Sequence, residues 1–456
     1  GENVFVTGGA GVGKSFVTQL IVESLRRQGK RVAITASTGI AAVHIDGQTL
    51  HSFAGTGLGL ETREALAAAA QKRKATRQRW RATDVLVIDE ISMTKGDFLD
   101  KVEYVGRACR LCPPGQDVPP PGPPMGGLQV VVVGDFYQLP PVPDRGDDRF
   151  GLRFAFDADC WPRLRFRVVQ LTQVFRQDDG DFVAALNEMR VGVMSPKSLA
   201  LVEACRRPLD GSDDVLPTKL YPKRCNVRQE NQRHFDALPG EETLFDAEDR
   251  APRRLGDSFF GILEDLQCLK RLSTKVGMQV MLLANLDVPR GLCNGSRGII
   301  TGFEETAHDV RLLRELGTSY GEKHRREALG WMERRGLLPR VLFANRIERT
   351  IGPHTWEQRV NGGKDVVSRT QIPLAPAWAL TVHKCQGMSL DRVVMDLGGV
   401  FSEGQAYVAM SRARSLQGMQ VVAFEPACVR ANSRVREYYA SLPAADAPEK
   451  AERAEG

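Results

Sequence analysis

The sequence predicts an α/β protein in which buried parallel strands alternate with helices, before the pattern changes to short β-rich runs. Val85-Leu86-Val87-Ile88 and residues 130–133 are continuous apolar runs, as expected for strands buried on both faces. A glycine-rich loop at residues 8–15 joins another apolar run to a helix-like segment. From about residue 272, short β-rich runs are separated by glycines. The 456 residues suffice for roughly two to four domains.

The glycine-rich loop has the spacing Gly-x-x-x-x-Gly-Lys-Ser between a strand-like and a helix-like run. Glycines let the backbone aim N–H groups at phosphate oxygens, with the positive end of the helix behind them. We therefore predict a nucleoside triphosphate site in which Lys14 reaches the β and γ phosphates and Ser15 holds Mg²⁺. The alternative is an unrelated glycine turn. The predicted phosphate loop comprises Gly8, Gly9, Ala10, Gly11, Val12, Gly13, Lys14 and Ser15.

Two carboxylates follow the buried run 85–88, at the strand end where open α/β sheets bind ligands. Asp89 suits the metal, and Glu90 suits the water that attacks the γ phosphate. Gln138, after the run 130–133, could contact the γ phosphate and report its loss. The alternatives are a solvated acidic turn and an ordinary polar loop residue.

Several further motifs occur in a fixed order. They are residues 8–15 (GGAGVGKS), 35–42 (TASTGIAA), 48–53 (QTLHSF), 88–93 (IDEISM), 134–141 (GDFYQLPP), 171–177 (LTQVFRQ), 275–282 (KVGMQVML), 382–390 (VHKCQGMSL) and 404–414 (GQAYVAMSRAR). This series resembles superfamily-one helicases and, more narrowly, the petite integration frequency (PIF) family of 5′-to-3′ DNA helicases. The resemblance runs from residue 1 to about 442.

The resemblance implies two RecA-like P-loop domains, with a small helical wedge insertion in the first and a small β-barrel insertion in the second. The expected bounds are 1–168 for the first domain, 169–271 with 372–442 for the second, and 272–371 for the barrel. The wedge is expected at about 55–83, where the alternative for its many cations is a solvated helix face. A loop at 113–124 with seven prolines should be extended or disordered, residues 308–339 should form an added helical excursion, and the tail 443–456 should be disordered.

The resemblance also assigns site residues. Arg176 and Arg412 would reach across the cleft to the γ phosphate, completing a catalytic set with Lys14, Glu90 and Gln138, and Gln405 would contact the nucleotide. Phe53 and Tyr407 have an alternative role in packing. The residues expected along DNA are Thr35, Ser37, Thr38, His51, Ser52, Phe53, His383, Lys384, Gln386 and Tyr407.

The sequence therefore predicts an ATP-dependent, Mg²⁺-using 5′-to-3′ DNA helicase that acts on single-stranded, forked or G-quadruplex DNA in genome maintenance. We expect a monomer in the nucleus or mitochondrion, without a membrane span. The net charge of +6 suits a polyanionic partner, and nine irregularly spaced cysteines indicate a reducing compartment. Starting at Gly1, the chain is expected to lack an upstream adenine-contacting segment. The alternatives are an ATPase-inactive clamp, a translocase subunit of a recombination nuclease, and an RNA helicase.

Overall fold

A computed structural model describes residues 1–45, 47–57, 59–113, 116, 118–143, 152–209, 215–252, 263, 268–305, 322–360 and 365–442. These residues form two α/β units, each around its own parallel sheet, and a β-rich unit. Within these ranges, no helix is both long enough and apolar enough to cross a lipid bilayer.

The first sheet contains six parallel strands in the order β3-β2-β4-β5-β1-β6. The strands are β1 Val4–Gly8, β2 Val32–Ala36, β3 Gln48–Thr49, β4 Val85–Asp89, β5 Gln129–Val133 and β6 Arg167–Leu171. The strands predicted at 85–88, at 130–133 and before the glycine-rich loop are confirmed. The edge strand β3 was not predicted, because two polar residues carry no periodic pattern. The apolar runs of β4 and β5 are buried, as a central position in a parallel sheet requires.

Helices cover this sheet and fill the predicted wedge region. They are α1 Lys14–Arg27, α2 Gly39–His44, α3 Leu50–Ala54, α4 Arg63–Lys72, α5 Lys74–Ala82, α6 Gly96–Leu111 and α7 Trp161–Leu164. Helices α4 and α5 confirm the helical prediction for 55–83, and Trp80 of α5 is fully buried in the first core.

Arginines of the predicted wedge bind backbone carbonyls, although Lys72, Arg73, Lys74 and Arg81 remain exposed to solvent. Arg79 donates to the carbonyls of Phe53 and Ser52, and Arg81 donates to those of Cys109 and Cys112. Of the proline-rich loop, residues 113, 116 and 118–123 have neither helix nor strand, which agrees with the predicted extended chain, but a 3₁₀ turn starts at residue 124.

The second unit contains a four-stranded parallel sheet. In spatial order, its strands are Ala379–Thr381, Thr218–Tyr221, Val393–Asp396 and Met419–Ala423. Its helices are Gly180–Arg190, Pro196–Ala204, Arg224–Ala237 and Gln405–Met410. The second core includes buried side chains from the first and last of these helices, so both belong to this unit.

The β-rich unit is larger than the predicted 272–371. One antiparallel sheet has five strands: Glu348–Thr350, Leu337–Phe343, Arg297–Glu305, Gln279–Leu282 and Leu374–Pro376. A second antiparallel sheet has three strands: His354–Val360, Asp365–Gln371 and Glu248–Arg250. A third sheet is the antiparallel pair of Arg271–Thr274 and Thr243–Asp246. Strands at 243–250 and 374–376 therefore correct the predicted bounds. Among the described strands, Glu348–Thr350 and Leu374–Pro376 are sheet edges, so a closed barrel is not confirmed.

The predicted helical excursion at 308–339 is confirmed for residues 322–335 and wrong for residues 337–339. Helix Glu322–Arg335 is present, and Trp331 of this helix is buried in the core of the β-rich unit. Residues 337–339 instead begin the strand Leu337–Phe343. Residues 308–321 and the tail 443–456 lie outside the described residues.

The C-terminal helix, Ser433–Ser441, packs on the first unit rather than the second. Val435 lies in the first core, and the Tyr438 hydroxyl accepts a hydrogen bond from Trp161 Nε1 at 3.2 Å. The predicted assignment of 372–442 to the second unit is therefore wrong for this helix. The chain crosses back because an apolar face on the helix completes the first core.

Candidate nucleotide and nucleic-acid site

The predicted phosphate loop lies between β1 and α1. Gly11 and Gly13 have φ values of 79° and 83°, which a residue with a side chain adopts only under strain. Lys14 Nζ donates to the carbonyls of Gly8 and Gly9 at 2.8 and 2.7 Å. Burial lowers the pKa of Lys14, while the charges of Asp135 and Glu90 oppose this shift. The lysine is therefore held inside the cleft among carboxylates.

The two predicted carboxylates stand where β4 ends. Burial, reinforced by the charge of Glu90, raises the pKa of Asp89 to about 7. Glu90 adopts the left-handed conformation with φ 51°, a strained geometry that recurs at functional sites. Ser37 Oγ donates to the Glu90 carbonyl at 2.5 Å and also contacts Thr94 Oγ1 at 2.8 Å. These contacts fix the turn that presents Glu90 to the cleft.

The predicted magnesium ligands fit that ion. Ser15 is exposed, and both Ser15 and Asp89 line a large groove that the two α/β units share. Hydroxyl and carboxylate oxygens are ligands that Mg²⁺ accepts, and a cation would stabilise the ionised form of the buried Asp89.

Arg176 packs against Gly11 of the phosphate loop, and Arg412 lies beside Arg176. Arg176 donates to the carbonyls of Ser411 and Gly387 at 3.0 and 3.4 Å. Burial and the nearby charge of Arg412 lower the pKa of Arg176 to about 9. Arg412 is 1% exposed and bonds to the Val408 and Met388 carbonyls and the Ser411 hydroxyl. Within the described residues, neither guanidinium forms an ion pair with a carboxylate, so the pair is suited to an anion.

Tyr407 was predicted on the DNA track, but its contacts lie in the nucleotide cleft. The Ala10 N–H donates to the Tyr407 hydroxyl at 2.7 Å, and burial together with Asp135 raises the Tyr407 pKa to about 12. Gln405 was predicted to contact the nucleotide. It is fully buried, its Oε1 accepts from Phe401 N at 3.1 Å, and its Nε2 faces the Pro222 carbonyl at 3.5 Å. The packing of helix Gln405–Met410 turns both side chains inward.

Beside the cleft, both α/β units line a groove of about 3360 Å³. Seven of the ten residues predicted along DNA line it: Ser37, Thr38, His51, Ser52, His383, Lys384 and Gln386. Gln386 has a second role, because its Nε2 donates to Glu90 Oε2 at 2.9 Å. The groove and the carboxylate predicted to be catalytic therefore share one side chain.

Thr35 and Phe53 do not reach the groove. Thr35 is fully buried, and its Oγ1 donates to the Val87 carbonyl at 2.7 Å inside the first sheet. Phe53 is fully buried, with its ring centroid 4.8 Å from that of Trp80. The predicted DNA contacts are wrong for these two side chains, whereas the alternative core role of Phe53 is confirmed.

Several groove residues have distinctive surroundings. His51 stacks on Phe98 with a centroid distance of 3.8 Å, and burial lowers the His51 pKa to about 4, so the ring is neutral at pH 7. Burial, followed by the charges of Arg224 and Arg228, lowers the pKa of Lys384. These two arginines are exposed and line the groove. Sequence reasoning missed them, although their spacing at the start of a helix was a usable signal.

Asp135, in the buried loop after β5, was not predicted as a site residue. The same loop carries the predicted residue Gln138, which is 4% exposed and whose N–H donates to the Asp135 carbonyl at 2.9 Å. Asp135 is fully buried and forms a bidentate ion pair with Arg190 at 2.8 and 3.0 Å. Its position after a buried strand matches that of Asp89, so the same criterion could have identified it.

Comparisons with known proteins agree with this geometry. A family model described as PIF1-like helicase matches residues 1–195, and one described as the 2B domain of DNA helicase Pif1 matches residues 265–303. The crystal structure of Pif1 helicase from Candida albicans is 34% identical, with a TM-score of 0.78, and the match covers 97% of this chain and 96% of that one. The chain belongs to the PIF1-like helicase family.

Two other PIF1-like proteins extend the comparison. The mouse ATP-dependent DNA helicase PIF1 is 41% identical over 97% of this chain, but the match spans only 61% of the mouse protein. The Bacteroides Pif1 helicase solved with ADP-AlF3 and single-stranded DNA is 26% identical, with a TM-score of 0.64, covering 96% of this chain and 93% of that chain. The predicted RecA-like helicase core is thus confirmed at the level of the fold.

Proposed function

We propose that this chain is the motor core of an ATP-dependent DNA helicase that moves 5′ to 3′ on single-stranded DNA. The proposal depends chiefly on Gln386, which lines the groove and donates a hydrogen bond to Glu90. A strand in the groove and a nucleotide in the cleft would act on the same side chain. Duplex or G-quadruplex DNA would be the unwound substrate, in DNA repair, recombination, or telomere or mitochondrial DNA maintenance.

The cleft residues have separable roles in hydrolysis. Lys14 would leave the carbonyls of its own loop to contact the β and γ phosphates, while Ser15 and Asp89 would hold Mg²⁺, which neutralises phosphate charge when bound. Glu90 would orient and deprotonate the attacking water, and Gln138 would contact the γ phosphate. These residues all lie at, or shortly after, the carboxyl ends of strands of the first sheet.

Arg176 and Arg412 would supply the remaining charge from the second unit. Charge on the transferred phosphoryl group grows towards the transition state, and arginines that neutralise it can increase the rate by roughly 10³ to 10⁵. Since these arginines belong to the opposite unit from Lys14, ATP would close the cleft and its hydrolysis would allow it to open.

Closure of the cleft would move two sets of DNA-binding residues, one on each unit, relative to each other. Ser37, Thr38, His51 and Ser52 line the groove from the first unit, and His383 and Lys384 from the second. Hydroxyl and basic groups bind phosphates without reading sequence, which suits a motor that must pass every base. We further propose that the chain works as a monomer in the nucleus or mitochondrion, with forked DNA as a partner.

Polarity tests this proposal. A duplex with a free 5′ single-stranded tail should be unwound with ATP and Mg²⁺, whereas the matched 3′-tailed duplex should remain paired. Lys14→Ala serves as the control that lacks the phosphate-binding cation. Equal opening of both duplexes would reject the direction. DNA binding without any DNA-stimulated phosphate release would instead support the ATPase-inactive clamp.

A further inference from the structure

A buried cluster of three chain segments lies beside the phosphate loop. It consists of Asp135 and Tyr137 from the loop after β5, Arg190 from the end of a second-unit helix, and Tyr439 from the C-terminal helix. None of these residues has a role in the hydrolysis described above. Their contacts nevertheless join both units at the edge of the nucleotide cleft.

Asp135 and Arg190 form the charged centre of this cluster. Burial alone would raise the pKa of Asp135, but the charge and hydrogen bonds of Arg190 outweigh it and keep the pKa below its ordinary value. The carboxylate also accepts from the Tyr137 N–H at 3.2 Å and lies 3.4 Å from the Tyr439 hydroxyl. A buried charge whose partner is removed strongly destabilises its surroundings, so Arg190 must stay in place while Asp135 is ionised.

Tyr439 connects the ends of two neighbouring strands. Its hydroxyl lies 2.6 Å from Thr7 Oγ1 in β1 and accepts from the Phe136 N–H at 3.1 Å, just after β5. Its ring stacks on Tyr137 with a centroid distance of 4.8 Å. Arg190 lies over both rings, 4.7 Å from Tyr137 and 5.3 Å from Tyr439. One side chain therefore ties the strand before the phosphate loop to the loop that carries Gln138.

We propose that Tyr439 and Arg190 are positioning residues that hold the 135–138 loop in register with the phosphate loop, so that movement of the second unit reaches Gln138. This inference rests on the proposed ATPase cycle. It gives the C-terminal helix a role in coupling, because that helix follows the second sheet in the chain but packs on the first unit. Without these contacts, Gln138 would meet the γ phosphate less often in its productive position.

The test compares two tyrosine variants of the same helix. Tyr439→Phe keeps the ring that stacks on Tyr137 but removes the hydroxyl contacts to Thr7, Phe136 and Asp135. Tyr438→Phe is the matched control, because it removes a hydroxyl that bonds to Trp161 and not to Asp135. Both tyrosines are partly buried. The measurements are thermal unfolding, DNA-stimulated phosphate release against ATP concentration, and base pairs unwound per ATP.

Tyr439→Phe should lower kcat about tenfold, the change expected from one lost hydrogen bond of ordinary strength in the transition state, with KM within about twofold. Unwinding per ATP should fall as well, whereas Tyr438→Phe should match the wild type. If Tyr439→Phe fails to fold, Arg190→Lys, which keeps the charge but loses the bidentate geometry, should show the same kcat loss. If the tested variant has the same kcat as the wild type, the coupling role of Tyr439 and Arg190 is overturned and the proposed function still stands. If the wild-type protein shows no DNA-stimulated turnover, both the coupling role and the proposed function are rejected.

Discussion

The nucleotide cleft and the groove beside it are built from the same two units, yet the sequence predicted them unequally. In the cleft, Lys14, Asp89 and Glu90 lie at or shortly after strand ends, as their motifs imply, whereas Gln405 is fully buried against backbone groups. Along the groove, three of the ten predicted residues, Thr35, Phe53 and Tyr407, point elsewhere. The cleft chemistry depends on backbone loops at the carboxyl ends of parallel strands, where position in the motif largely fixes location. Groove contacts depend on which side chains of a loop face outward, and neighbouring residues in a loop can point in opposite directions.

The largest effect should come from the cleft. Arg176→Ala should lower DNA-stimulated ATP turnover by roughly 10³ or more, since it removes a charge that neutralises the transferred phosphoryl group. Folding should be retained, because its contacts are two carbonyls at the edge of the second unit. Arg414→Ala is the control, as that arginine is exposed and pairs with Asp391. Steady-state phosphate release measures the loss of turnover. A decrease of less than tenfold would show that Arg176 does not act in ATP hydrolysis.

Variants of Gln386 and Lys384 should distinguish an effect on ATP turnover in the cleft from an effect on DNA binding in the groove. Gln386→Ala should lower kcat about tenfold even at saturating DNA, because Glu90 loses the hydrogen bond that orients it. Phosphate release at saturating DNA measures this. A loss of DNA affinity with unchanged kcat would assign Gln386 to the groove alone.

Lys384→Ala should have the opposite profile. Lys384 lines the groove, so single-stranded DNA affinity should fall while kcat at saturating DNA stays near the wild type. The slope of log affinity against log salt should decrease by about 0.7, as expected for one lost phosphate contact on a single strand. Fluorescence anisotropy across a salt series measures this, and an unchanged slope would contradict the phosphate contact.

The smallest effect should come from Phe53, which the structure places in the core. Phe53→Leu should lower the free energy of unfolding by about 1 kcal/mol, as a near volume-conserving change in a packed core does. DNA affinity should not change. Thermal unfolding and anisotropy together measure this, with His51→Ala as the groove-side comparison. A selective loss of DNA affinity in Phe53→Leu would restore its predicted base-stacking role.

Local patterns predicted most of the fold, and long-range packing accounts for what they missed. The buried strands β4 and β5 were predicted from continuous apolar runs and are confirmed, and the helices at 55–83 agree with what the family resemblance implies. The return of Ser433–Ser441 to the first unit is invisible locally, since its amphipathic pattern fits any apolar surface. The Asp135–Arg190 ion pair joins residues 55 positions apart on different units, which no motif spacing records. The strands at 243–250 are only three or four residues long, so they become recognisable only when paired.

The proposed function requires one cleft to hydrolyse ATP in response to DNA held by both units. The decisive variant is Glu90→Gln, because the amide keeps the shape of the side chain but cannot act as a base. Phosphate release should fall by roughly 10² or more, while the variant still binds ATP and a labelled single-stranded oligonucleotide together. Turnover at the wild-type rate would show that the base lies elsewhere, and loss of joint ATP and DNA binding would contradict the shared cleft.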